Sequence, residues 1–337
     1  PDTEILFVGA EGKIEMQKVP AAGYQIKSLP IRGFQRKLSI HNISVIVGLF
    51  KSLSKSKKII KEFKPDAVIG VGGYASGPVV YKASKMGIPT LLQEQNSYAG
   101  ITNKLLAKRA KKICVAYDGM EKFFDREKII KTGNPIRKDL YNSNIKKQEA
   151  LAFFELEASK KTILILGGSG GARTINEAVI QQLEAINSSS VQIIWQTGKF
   201  YYQQSFQALK NYSGNNIKVY DFINKMDMAF VAADVVVSRS GAGTISELCL
   251  VKKPSILVPS PNVAEDHQTK NAMALVEKEA ALLVKDNEAK DILIPKAIEL
   301  TKNNDLMENL SQNISNLAIA NSDELIANEI LKLCAMH

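Results

Sequence analysis

Ile163-Leu164-Ile165-Leu166-Gly167-Gly168-Ser169-Gly170-Gly171-Ala172-Arg173 is the stretch that decides how this chain is read. An apolar run of strand length feeds a loop of four glycines and a serine, and a helical pattern follows from about Ile175. Glycine lets the backbone come close to an anion, and the open N–H groups of a helix start point towards it. No Gly-Lys-Ser/Thr follows, so this is not a Walker A loop, and it is not a clean G-x-G-x-x-G. Phosphate binding is favoured over a merely tight strand-to-helix turn.

Outward from this loop, short apolar runs alternate with helix-like stretches, the pattern of parallel α/β sheets. Strands are expected at Glu4–Val8, Ala67–Val71, Thr90–Gln93, Lys112–Ala116 and Ile129–Thr132, with helices at Ile43–Phe63, Val79–Met86 and Ile101–Arg109. After a polar break at Asn142–Gln148 the rhythm restarts at Thr162–Leu166. It continues through Gln192–Gln196, Ile217–Tyr220, Asp234–Val237, Ser255–Val258 and Ala281–Leu283. A helix at Asp323–Leu333 closes the chain. The expectation is an α/β protein of two doubly wound domains, 1–137 and 138–319, with the helix of 320–337 completing the first. Ligand loops then lie at the strand carboxyl ends.

A second loop, Ser238-Arg239-Ser240-Gly241-Ala242-Gly243-Thr244-Ile245-Ser246-Glu247, also follows a strand. Its helix is expected to start near Thr244, with Thr244 and Ser246 as caps and Glu247 in the first turn. A carboxylate there suits the paired hydroxyls of a ribose. Two such loops in one half point to a nucleotide diphosphate. A third loop, Pro259–Ala272, is rich in amides and hydroxyls that suit a sugar. His267 beside Asp266 is a weak general-base candidate. In the first half, Gly70–Pro78, Gln93-Glu94-Gln95-Asn96 and Gly133-Asn134-Pro135-Ile136-Arg137 are further strand-end loops.

Composition narrows the classes. Hydrophobic residues at 45% and charged residues at 23% are ordinary for a globular protein. No apolar run approaches the length of a membrane span. Pro1-Asp2-Thr3-Glu4 leads straight into an apolar run, which reads as no secretory leader and as a cytosolic protein. Three scattered cysteines (Cys114, Cys249, Cys334) and three histidines carry no metal-site spacing, so neither a metal nor a cofactor is expected. The net charge is +10, and nine basic residues against one acid fall between Arg32 and Lys64, threaded with apolar residues from Ile40 to Leu53. Two readings stand: a solvated helix face above a buried stripe, or a surface resting on anionic lipid. Nucleic acid is disfavoured, because stacking aromatics are missing there.

The ordered motifs resemble the MurG family, transferases of the GT-B fold in peptidoglycan synthesis. They are Gly72-Gly73-Tyr74-Ala75-Ser76-Gly77-Pro78, Glu94-Gln95-Asn96, Gly133–Arg137, Gly167–Ala172, Arg239–Glu247 and Asp266–Ala272. The resemblance implies inverting transfer of GlcNAc from UDP-GlcNAc to the C4 hydroxyl of the muramyl sugar of an undecaprenyl-linked lipid (lipid I). It implies work at the cytoplasmic face of the bacterial inner membrane and favours the lipid-surface reading of Arg32–Lys64. By motif, Asn96, Arg137, Ser169, Ile223, Ala242, Gly243, Thr244, Ile245, Ser246, Glu247 and Gln268 would contact the donor. Ser169 would meet the diphosphate, Glu247 the ribose, Gln268 the sugar and the Ile223 backbone the uracil. Gln93 stands where many members have histidine. The family's opening strand and Gly-Gly-Thr-Gly-Gly-His loop are not among these residues, so a chain starting at Pro1 is expected to lack a central strand and to be inactive. Glu94 is a stand-in for the general base. The alternatives carried are a non-hydrolysing UDP-GlcNAc epimerase, which needs catalytic carboxylates in the first half, and a donor-binding protein without activity.

Overall fold

The computed structural model describes residues 3–33, 41–140 and 144–335. The chain divides into two compact units, Pro1–Gly133 with Ser322–His337, and Asn134–Asn321. The changeover falls at Gly133, so Arg137, read from sequence as the end of the first domain, belongs to the second unit.

In the first unit β1 (Leu6–Ala10) and β2 (Gln25–Leu29) pair in parallel. Helix α1 (His41–Phe63) follows, then β3 (Val68–Gly70), α2 (Gly73–Lys85), β4 (Thr90–Glu94), α3 (Ile101–Leu106), β5 (Lys112–Val115) and β6 (Ile129–Lys131). Strands β3 to β6 form a parallel sheet in that order, and β1 and β2 form a sheet of their own. Helix α2 packs against both β1 and β3. Strand β2 escaped the sequence reading because Gln25 and Lys27 interrupt its apolar side; only Leu29 is fully buried. The helix Ser322–Ala335 joins this unit by setting Ile326 and Leu333 against Leu91 and Cys114.

Helix α1 buries Val45, Ser52, Ser56, Ile59 and Ile60, a single stripe at helical spacing, and exposes Ile46, Val47 and Phe50. Arg36, Lys37 and Ile40 of the basic segment lie outside the described residues, as do Asn142 and Ser143 of the polar break.

The second unit is built on one parallel sheet. Its elements are β7 (Lys161–Leu166), α4 (Arg173–Gln181), β8 (Val191–Gln196), β9 (Ile217–Tyr220), β10 (Val235–Ser238), α5 (Ala242–Val251), β11 (Ser255–Leu257), α6 (His267–Val276), β12 (Leu282–Leu283) and α7 (Ala289–Lys302). The strand order is β12-β11-β10-β7-β8-β9. Running outward from β7 in both directions, this order reverses between β7 and β10, and a doubly wound sheet opens its ligand crevice at that point. Continuous burial of β7, β8 and β10 explains their unbroken apolar sequences. Trp195 is fully buried in the core beside Ile163, Ile165 and Val235, and its indole N–H donates to Asn176 Oδ1 at 3.0 Å.

Candidate active site

The register β7–β10 sets Ile165 beside Val237 and Leu166 beside Ser238, so the two glycine-rich loops leave the sheet side by side. Each leads into a helix with no side-chain cap: Ala172 precedes α4 and Gly241 precedes α5. Open N–H groups at both starts give the crevice positive potential.

The first loop owes its path to backbone crowding. Gly171 has φ +90°, and a Cβ there would stand 2.4 Å from Tyr201 Cδ2 and 2.5 Å from the Thr197 carbonyl oxygen. Gly198, at φ +79°, comes closer still: its Cβ would lie 2.2 Å from Gly171 N. The turn after β8 thus braces the glycine loop, and Asn176 holds that turn by donating to Thr197 O at 2.9 Å. Ser169 sits exposed at the loop tip, where its carbonyl accepts from Lys199 N.

The second loop differs from expectation. Helix α5 begins at Ala242, two residues before Thr244, and Glu247 therefore falls in its second turn. Neither Thr244 nor Ser246 caps it. The Ser246 hydroxyl donates to Ala242 O at 3.0 Å and accepts from Asn134 Nδ2 at 3.1 Å, so it is spent inside the helix. The Ile245 side chain is buried and its N–H bonds Gly241 O. Of the stretch Ala242–Glu247, the backbone of the first turn, Thr244 and the Glu247 carboxylate remain the groups suited to a ligand. Arg137 Nη2 lies 3.3 Å from Glu247 Oε1. Burial pushes the Glu247 carboxyl above its usual range, and Arg137 pulls it back.

Gln268 opens α6. Its Oε1 accepts from Ser260 N at 2.8 Å, which fixes the amide with its NH2 as the end left to donate. Its backbone carbonyl accepts from Ser240 Oγ at 2.8 Å, joining the second and third loops. His267 Nε2 lies 3.3 Å from Glu265 Oε2. Ile223 is buried, and its N–H donates to Gln196 Oε1 at 2.9 Å. A cleft of about 750 Å³ runs along these loops, lined by Gly168, Thr174, Arg239, Thr244, Gln268 and Asp286 among others.

In the first unit, Asn96 follows β4 beside Glu94. The Glu94 carboxylate is buried and accepts four hydrogen bonds: Oε1 from Asn96 N and Nδ2, Oε2 from Gly100 N and Asn103 Nδ2. A carboxylate saturated in this way has no lone pair left for a substrate proton, so Glu94 organises the loop and is withdrawn as general base. Sequence reasoning also missed Gln196, Asn176 and Asp286, which act through bonds between distant elements and carry no local motif.

Residues 1–115 match the glycosyltransferase family 28 N-terminal domain and residues 162–329 the family 28 C-terminal domain. The chain is 58% identical to the UDP-N-acetylglucosamine--N-acetylmuramyl-(pentapeptide) pyrophosphoryl-undecaprenol N-acetylglucosamine transferase of Phocaeicola vulgatus, over 99% of this chain and 89% of that one. Among solved structures it superposes on MurG from Acinetobacter baumannii with a TM-score of 0.79 and 25% identity, covering 98% of this chain and 91% of the other. A UDP-GlcNAc 2-epimerase from Neisseria meningitidis shares the fold at 14% identity, with a TM-score of 0.61, covering 98% of this chain and all of that one. The fold is GT-B, the enzyme class is hexosyltransferase, and the chain belongs to glycosyltransferase family 28 and, within it, to the MurG family.

Proposed function

We propose that this chain binds UDP-GlcNAc in the crevice of its second unit and transfers GlcNAc to the C4 hydroxyl of the muramyl sugar of lipid I, with inversion. The observation that carries the reading is the pairing of two glycine-loop helix starts, uncapped and side by side at the sheet's switch point, with a carboxylate at Glu247 one turn along. The diphosphate sits over Ser169 and the first turn of α5, where the backbone of Ala242, Gly243 and Thr244 faces it. Glu247 takes the ribose diol, Arg137 steadies that carboxylate, Gln268 reads the sugar hydroxyls, and the uracil lies at the strand end near Ile223.

The acceptor hydroxyl displaces UDP in line at the anomeric carbon. Negative charge grows on the departing diphosphate, and N–H groups already aimed at that place stabilise it without having to reorganise. An epimerase needs catalytic carboxylates in the first half, and the saturated Glu94 does not offer one.

The acceptor's lipid tail calls for a membrane surface. No helix among the described residues is long and apolar enough to cross a membrane. Helix α1 instead presents Ile46, Val47 and Phe50 beside Lys51, and α3 exposes Ile101 and Leu105 beside Lys104 and Lys108. This pattern suits peripheral attachment to anionic lipid on the cytoplasmic face.

The test is release of UDP from UDP-GlcNAc in the presence of a lipid I analogue. Transfer dependent on the acceptor is expected. UDP release that ignores the acceptor, or none at all, sinks the reading.

A further inference from the structure

Asp286 lies after β12 and lines the cleft, in a stretch that no motif singles out. Its two carboxylate oxygens reach different loops. Oδ2 accepts from Thr174 Oγ1 at 3.0 Å, in the first turn of α4 behind the glycine loop. Oδ1 accepts from Arg239 Nη1, in the loop between β10 and α5. The same Arg239 nitrogen donates to the carbonyls of Val258 at 3.0 Å and Pro259 at 3.2 Å, where the third loop leaves β11. Arg239 and Asp286 are both mostly buried, with side chains 17% and 21% exposed. Their charges are therefore screened less by water than a surface pair's would be.

We infer that Asp286 is a positioning residue that, through Thr174 and Arg239, locks the three cradle loops of the second unit into one donor-binding geometry. Among the described residues, Asp286 is the side chain seen to bond both the start of α4 and Arg239. The Ser240–Gln268 bond joins the second and third loops, and the Gly198 turn braces the first, but Asp286 couples the first to the other two. Two oxygens on one short side chain fix the distance between α4 and Arg239, so a displacement of one helix start is felt at the other. The diphosphate then meets donors already in place, and its binding does not have to order them.

The inference rests on the donor reading given above, and the experiment separates the two. UDP affinity is measured by calorimetry, and KM and kcat for UDP-GlcNAc by UDP release, on the wild type, Asp286→Ala, Arg239→Met, Thr174→Val and Thr174→Ser. Asp286→Ala is expected to weaken UDP binding by about tenfold and to raise KM by a similar factor, with kcat within about threefold. Thr174→Val shifts both in the same direction by less, and Thr174→Ser, which restores the hydroxyl, returns them to wild type. The double variant of Asp286→Ala with Arg239→Met is no weaker than Arg239→Met alone, because the pair acts as a unit. Unchanged UDP affinity and KM in both Asp286→Ala and Thr174→Val, beside a wild type that binds UDP, overturn the positioning role alone. So does a fall in kcat at constant KM. A wild type that binds no UDP overturns the donor reading itself.

Discussion

Arg137 Nη2 stands 3.3 Å from Glu247 Oε1, although 110 residues of chain separate them. Arg137 lies just past the changeover at Gly133, inside the second unit, Glu247 sits in the second turn of α5, and the Asn134–Ser246 bond holds the two segments in register. Burial pushes the Glu247 carboxyl above its usual range, and the ion pair pulls it part of the way back.

Glu247→Ala is therefore expected to weaken UDP binding by about tenfold or more, the scale of losing charge-assisted bonds to a ribose. In the wild type, UDP affinity falls as pH drops through the raised Glu247 pKa, because the protonated acid accepts less well. Arg137→Met removes the group that lowers that pKa, so the fall begins at a higher pH. Calorimetric titration of UDP between pH 5 and pH 8 reads both. A pH profile that Arg137→Met leaves in place removes the coupling.

Gly198→Ala tests the brace beneath the glycine loop. The new Cβ meets backbone atoms of Gly170 and Gly171, which cannot swing away as a side chain can, and φ +79° is itself unfavourable for alanine. A stability loss on the order of 2 kcal/mol or more is expected in denaturant melts, with weaker UDP binding. Gly73→Ala has positive φ but open space around it, and should cost less.

Glu94→Gln places an amide NH2 where the carboxylate accepts from N–H donors. The clash of donors is expected to cost on the order of 3 kcal/mol in stability. Asn103→Ala weakens the same loop. If Glu94 were instead the general base, Glu94→Gln would abolish turnover at an unchanged melting temperature.

Lys253 donates to Ala233 O at 2.7 Å, and burial pushes its ammonium down to about 8. Between pH 8 and the ordinary lysine range the unfolded chain holds a proton that the folded chain has lost. Lys253 therefore adds stability as pH rises through that window. Lys253→Met lacks this gain, so the melting temperature of the wild type relative to the variant should climb from pH 8 to pH 10. A constant difference contradicts it.

Membrane attachment is expected to depend on both faces of the α1 surface. Phe50→Ser with Ile46→Ser should cut binding to vesicles rich in anionic lipid, and raising the salt should weaken what remains. Retention of both variants on neutral and anionic vesicles alike would remove α1 from the contact.

The sequence by itself determined the strands of the second unit. Its strands β7, β8 and β10 are buried on both faces, so their apolar runs are continuous, and the glycines that bend its first loop are local events written in the chain. Strand β2 was not legible, because an edge with Gln25 and Lys27 carries too little apolar signal. The helix boundary at Ala242 was also missed: Ser246 looked like a cap, but its hydroxyl turns back to Ala242 inside a helix that had already begun. What only the tertiary structure decided is which polar groups are free. Glu94 has the residue type of a base and the surroundings of a scaffold, and Asp286 has no motif yet bonds two loops at once. Hydrogen-bond partners more than 100 residues apart are set by how sheets and helices pack, and no local pattern records them.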